Sequence, residues 1–256
     1  MKVFAILLVV LALAIAALAQ DPTPVSVSGT KLTVTGNPGA GRIDLENTKA
    51  DKTFQFSLIR IREVSASGAV LPTYNSFNNA GFTTSKNDDT TYQSIAAGQI
   101  DLNSNTIQVT TSSNTTVNAN MNVKVYVIKD TNATAVSINS KTFNLVDGWA
   151  VVEVSLTNWP VLSEENKLYI DAQVKTPGKS GIISSGVAHL YDGIYAQTAP
   201  GTGASTTQTV SGTTASFTYT YANSSTNANA FFVFNVGQET DPSPASTLTS
   251  FLSFFF

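Results

Sequence analysis

The 256-residue chain has no cysteine and a single histidine, His189. Without thiols there is no disulfide framework, no thiol nucleophile and no cysteine metal site. One imidazole cannot build a histidine-rich zinc centre, and a lone histidine without a nucleophile beside it is usually structural. Charge is scarce as well: 12% of residues are Asp, Glu, Lys or Arg, with a formal balance of −3. Phosphate recognition needs a basic footprint, so this balance argues against nucleic acid as a partner. No glycine-rich phosphate loop runs from a strand into a helix, and no Gly-x-Ser-x-Gly elbow occurs. Beyond residue 19 no stretch sustains helical periodicity.

What is present begins with a leader. Lys2 supplies a charged start, Val3 to Leu18 is uncharged and apolar, and Ala17-Leu18-Ala19 is a small-x-small cleavage site. Residues 1–19 therefore read as a secretory signal peptide, with Gln20 as the first mature residue. Its removal takes Lys2 and no acid, so the formal −3 becomes −4, and 237 residues remain. A core of that size does not depend on disulfides. Ser, Thr and Asn take the place of charge on the surface, which suits strands and loops facing an extracellular medium.

Short β-type runs follow one another. Val25 and Val27, Leu32 and Val34, and Ile43 and Leu45 each alternate with polar residues. Lys52 to Val64 is a long strand whose apolar phase slips by one residue, from Phe54, Phe56 and Leu58 to Ile59 and Ile61, with Arg60 and Arg62 opposite. Such a slip marks a β-bulge or a change of sheet. Leu71 to Thr91 is irregular and reads as a long loop over one end of the fold. Met121 to Ile128 alternates cleanly, with Val123, Val125 and Val127 opposite Asn122, Lys124 and Tyr126. In Lys141–Lys175, Asp147-Gly148 fits a tight I′ turn, pairing Phe143 with Val152 and Leu145 with Ala150. A third run, Lys167–Lys175, completes the expected three-strand meander, apolar on one face. Phe217, Tyr219 and Tyr221 share a face, and Phe231 to Val236 is the last good strand.

Many short strands with Gly, Asn and Ser turns predict a large antiparallel β-sandwich, Greek-key or jelly-roll-like, over residues 20–237. The Ser/Thr/Asn-rich run 103–120 is where two domains would divide. Because Ile107 and Val109 keep strand alternation there, one continuous domain is expected.

Three sequons fall in polar turns: Asn114, Asn132 and Asn223 are candidate glycosylation sites. Residues 238–256 comprise a polar spacer and the apolar end Leu248–Phe256, which is too short to span a bilayer. The pattern fits a glycosylphosphatidylinositol attachment signal, with Asn235, Gly237 and Ser243 as candidate lipid-attachment sites.

Candidate chemistry is thin. Asn87-Asp88-Asp89 could supply oxygens to calcium but matches no defined ligand loop. Glu164-Glu165 reads as a solvated pair. Glu153 and Asp171, expected on adjacent strands, are the one carboxylate pair that could serve a glycoside hydrolase. Trp159, Tyr74 and Tyr191 are candidate aromatics for stacking on a sugar, although Trp159 with Val161 and Leu162 also suits a plug at the end of the sandwich. Thr206 to Tyr221, with its Ser211-Gly212 turn, alternates like a pore hairpin or like any exposed hairpin of a Thr-rich sandwich. The reading expected is therefore a secreted or cell-surface structural or adhesive glycoprotein of coat, matrix or recognition type, without catalysis. Its partners would be other surface or matrix proteins or glycans, with the membrane reached only through a lipid anchor. A lectin-like module and an extracellular glycoside hydrolase are the alternatives.

Overall fold

The computed structural model describes residues 25–28, 32–37, 42–47, 52–74, 77, 83–87, 99–110, 116–127, 134–138, 141–145, 148–176, 181–184, 187–190, 194–199, 204–221 and 227–235. The leader, the three sequon asparagines, Asp88, Asp89, Tyr191, Gly237, Ser243 and the apolar tail lie outside these residues. The strands in chain order are β1 (Val25–Ser28), β2 (Leu32–Asn37), β3 (Arg42–Asn47), β4 (Lys52–Val64), β5 (Val70–Tyr74) and β6 (Thr83–Asn87). Then come β7 (Gln99–Thr110), β8 (Thr116–Val127), β9 (Thr134–Ile138), β10 (Lys141–Leu145), β11 (Trp149–Thr157) and β12 (Lys167–Lys175). The last six are β13 (Ile182–Ser184), β14 (Val187–Leu190), β15 (Ile194–Thr198), β16 (Ala204–Ser211), β17 (Thr214–Tyr221) and β18 (Ala228–Asn235).

Two antiparallel sheets pack face to face. The first runs β1-β2-β3-β4-β12-β17-β16, with β5 also on β4; the second runs β13-β14-β15-β18-β11-β8-β7-β6. Alternation decides what each strand buries. In β2, β3 and β17 every second residue is fully covered: Leu32 and Val34, Ile43 and Leu45, Phe217 and Tyr219. They meet Val123, Val125, Val152, Val154, Phe232 and Phe234 of the second sheet in one apolar cluster. Phe232 is the hub. Its ring lies 5.0 Å from Phe56, 5.3 Å from Tyr219 and 6.1 Å from Phe217, all on the opposite sheet.

β4 is long enough to serve two neighbours on one edge. Its first half pairs with β3 and its second half with β5, while β12 runs along the other edge. The predicted slip is a bulge: Arg60 faces Asp171 and Leu58 faces Ala172, leaving Ile59 as the extra residue. The detail differs from the sequence expectation. Ile59 does not share the inner face with Ile61; it is 36% exposed, whereas Ile61 is buried. The bulge changes the parity of the strand. Arg60 and Arg62 would otherwise continue the inward row of Phe54, Phe56 and Leu58. Instead they face out, and Ile61 and Glu63 face in.

The expected meander does not form. β10 pairs only with β9, β11 lies between β8 and β18, and β12 belongs to the other sheet. Gly148 does adopt the positive φ its turn needs, at 91°. That turn, however, carries the chain from one layer into another. β8 and β11 are neighbours, and the segment between them folds back as the β9–β10 hairpin over the outer face of the second sheet. There Ile138 and Phe143 cover Tyr126, Trp149, Val151, Phe231 and Val233. Phe143 therefore does not share a face with Ala150 and Val152, which point into the main core. The signal for this was in the composition of β11 and β18. Both carry apolar residues on both faces, the mark of strands covered on both sides.

The irregular stretch 71–91 is also more ordered than expected, since it contributes to β5 and holds β6, which pairs with β7. β7 and β8 pair along their lengths, from Gln99 opposite Tyr126 to Thr110 opposite Thr116, with a register shift between Ser104 and Ile107. The β16–β17 hairpin turns at Gly212-Thr213, one residue later than the sequence suggested, because Ser211 pairs with Thr214 and Gly212 has φ 56°.

Candidate functional site

The outer faces of the two sheets differ. The second is capped by the β9–β10 hairpin. The first carries side chains from seven strands with no described element across it. Register sorts these side chains into rows. One row reads Asn37, Arg42, Ser57, Gln173, Ser216 and Thr209. Its β17–β16 end is uncharged: Ser205, Thr207, Thr209 and Ser211 stand opposite Thr220, Thr218, Ser216 and Thr214, four cross-strand hydroxyl pairs. The other faces of the same two strands are Ala215, Phe217, Tyr219 and Tyr221, buried, and Ala204, Thr206, Gln208 and Val210, half-buried. One period-2 alternation thus produces both the core and the hydroxyl surface.

The centre of this face is charged, and the bulge in β4 puts it there. Asp171 accepts from Arg60 Nε at 2.5 Å and from Arg62 Nε at 2.9 Å through Oδ2, and from Thr218 Oγ1 at 2.7 Å through Oδ1. The Arg62 guanidinium lies 4.4 Å from the centroid of the Tyr169 ring, a cation–π distance. Asp171 is nearly covered, while the Arg60 side chain is 48% exposed. Burial alone would raise the Asp171 carboxyl, but the hydrogen bonds from Arg62, Arg60 and Thr218 outweigh it and hold the group below its ordinary value. Both arginines are anchored through Nε, and their Nη atoms make no hydrogen bond among the described residues. A second cluster sits on β2 and β3, on the far side of β4 from Asp171. Asn37 Nδ2 donates to Asp44 Oδ2 at 2.5 Å, and Arg42 Nε lies 3.1 Å from Asp44 Oδ1, within ion-pairing range though off hydrogen-bond geometry.

Asp171→Asn is expected to lower stability at neutral pH by about 1 kcal/mol, a small figure because solvent screens Arg60. The folded carboxyl titrates below its unfolded value, so its contribution is complete above about pH 4 and disappears as pH falls through the folded value. The difference in urea midpoint between parent and variant should close on acidification. A difference that grew toward low pH would contradict the carboxylate's role.

The chain matches no protein-family model and no curated protein.

The residues singled out from the sequence are scattered. Glu153 and Asp171 do not form a pair. They sit on the outer faces of different sheets, with the core between layers about 10 Å apart. Glu153 is fully buried and accepts from Tyr126 Oη at 3.0 Å and Ser155 Oγ at 3.2 Å. Trp159, 1% exposed, plugs the end of the sandwich, and its indole Nε1 has no hydrogen-bond partner among the described residues. Tyr74 is buried edge-on against Phe77 at 5.0 Å, and burial raises its phenol pKa. His189 lies in β14, opposite Ile182 and Tyr195. Asn235 ends β18, covered and laddered to both Trp149 and Tyr195. Asn114, Asn132 and Asn223 lie outside the described residues. Glu164 and Glu165 are exposed in the β11–β12 loop. Among the described residues no three carboxylate or imidazole groups gather as metal ligands would. Asn87 closes β6, and Asp88 and Asp89 lie outside the described residues.

Proposed function

We propose that this is a secreted, cell-surface structural or adhesive β-sandwich glycoprotein, of coat, matrix or recognition type, meeting its partner through the outer face of the first sheet and performing no catalysis. The observation that carries this reading is the asymmetry between the two outer faces. One holds an apolar patch covered by a hairpin. The other is broad, polar and ordered around a fixed arginine pair. Loops and sheet faces that present ordered polar groups on a rigid scaffold are where recognition is usually built. The leader, the three sequons and the apolar tail in the sequence support an extracellular location. With Asn235 held in a ladder, Gly237 and Ser243 are the better attachment positions for a lipid. A lectin-like version would stack its sugar on Tyr169, which lies on this face.

The test is where the native protein resides. Surface labelling of the producing cells, with detergent phase partition before and after phosphatidylinositol-specific phospholipase, should find it cell- or matrix-bound. Release into the aqueous phase by the lipase adds the anchor. Protein wholly free in the medium, retained by neither cell nor matrix, rules the reading out.

A further inference from the structure

Arg60, Arg62 and Asp171 belong to a longer pattern along β12. The outward residues of this strand are Lys167, Tyr169, Asp171, Gln173 and Lys175, and β4 adds Arg60 and Arg62 beside Asp171. Four cations and one carboxylate therefore lie on a line about 27 Å long, given ~3.4 Å per residue. Asp171 is already spent on two guanidiniums and a hydroxyl. Glu164 and Glu165 precede Lys167 and offset that end, so the excess positive charge falls on Arg62, Arg60 and Lys175. This is the reverse of the chain's formal −3. On one side of the line run the uncharged hydroxyl pairs of β17 and β16; on the other stand Ser57 and Gln55, and beyond them on β3 Asp44, paired with Arg42, and Glu46.

Geometry narrows the ligand. Each arginine uses Nε on Asp171, which leaves its two-pronged Nη edge for a planar or tetrahedral oxyanion. Tyr169 backs Arg62, and Thr218 fixes the Asp171 carboxylate that both arginines share, so some side-chain freedom is already spent before binding. The surface presents side chains rather than a strand edge, so it offers a peptide no backbone ladder. The exposed aliphatic side chains near the arginines are few, Ile59 in the bulge and Val70 opposite Val64, and they are separate rather than a continuous apolar patch. A linear chain carrying spaced anions and many hydroxyls meets both the cations and the rows of Ser and Thr. Resting on the surface-recognition reading above, we infer that the outer face of the first sheet binds an acidic polysaccharide, with Arg60, Arg62 and Lys175 taking its carboxylate or sulfate groups.

The probes are immobilised polygalacturonate, dextran sulfate and neutral dextran, tested with the native secreted protein at low and at physiological salt. Retention is expected on a polyanion and not on dextran, weakening as salt rises. Polygalacturonate alone would assign a uronate, and dextran sulfate alone a sulfate ester. Arg60→Gln and Arg62→Gln should each weaken binding about tenfold, with folding followed by melting curves. Lys175→Gln, exposed and outside the Asp171 cluster, should weaken it about threefold without touching the fold. Lys124→Gln makes the same charge change on the second sheet and should leave binding within about twofold. An equal loss in Lys124→Gln, equal retention on neutral dextran, or no retention on either polyanion would each overturn the inference. The last result leaves the surface reading standing if the protein remains cell-bound. Polyanion binding by a protein found wholly free in the medium would do the opposite.

Discussion

Phe232→Ala is expected to lower the unfolding free energy by about 3–5 kcal/mol, the range for an aromatic deleted from a packed core. Phe232 is fully buried and touches one ring of β4, Phe56, and two of β17's inner row, Phe217 and Tyr219. Removing it takes away apolar area and leaves a void between sheets whose backbones are fixed by their own ladders, so the site cannot easily collapse. For a domain of this size the corresponding fall in melting temperature is about 6–20 °C. Phe232→Leu fills most of the space and should cost less than half as much. Urea unfolding of both variants checks the ranking. A Phe232→Ala protein within 1 kcal/mol of the parent, on the order of a surface substitution, would mean that the sheets do not meet through this ring.

Glu63→Ala should cost about 3 kcal/mol for a different reason. The bulge turns Glu63 inward, where it is fully buried. Its carboxylate accepts from Leu162 N at 3.0 Å and from Asn166 Nδ2 at 2.5 Å, both in the β11–β12 loop. Alanine would leave those two donors without their acceptor inside the protein, and each such loss is expensive. Glu63→Gln keeps one acceptor oxygen and should cost about 1 kcal/mol. The same loop carries Trp159, so its loosening should appear as greater acrylamide quenching of tryptophan in Glu63→Ala than in Glu63→Gln. Equal quenching in all three proteins would show that Glu63 does not hold the plug.

Local signals and tertiary choices separate cleanly in this chain. The inward faces of β2, β3, β8, β12 and β17 follow from alternation, because a half-buried strand has only one way to face. The bulge in β4 was legible too, as a change of phase after Leu58. Partner choice was not. Asp147-Gly148 and the flanking alternation satisfy a hairpin, but β11 needs cover on both faces, and β8 and β18 supply longer apolar edges than β10 can. The same limit hid the candidate site. Arg60 and Arg62 could be seen side by side in the sequence, yet their carboxylate is 111 and 109 residues away. The Glu153–Asp171 pair requires neighbouring strands, and β11 and β12 belong to different sheets.

That separation also has a meaning in time. The edge of β4 that faces β12 has no partner until Lys167 has been made, 103 residues after Val64. At about 5–20 residues per second, synthesis leaves that edge uncovered for roughly 5–20 s. Throughout the wait the bare strand contains Phe54, Phe56, Leu58, Ile59 and Ile61, an apolar series that would pair readily with another chain. Three of the charges that later form the surface cluster or the buried anchor, Arg60, Arg62 and Glu63, interrupt the same strand. In the nascent chain they act as guards against aggregation well before they have a carboxylate or a loop to hold.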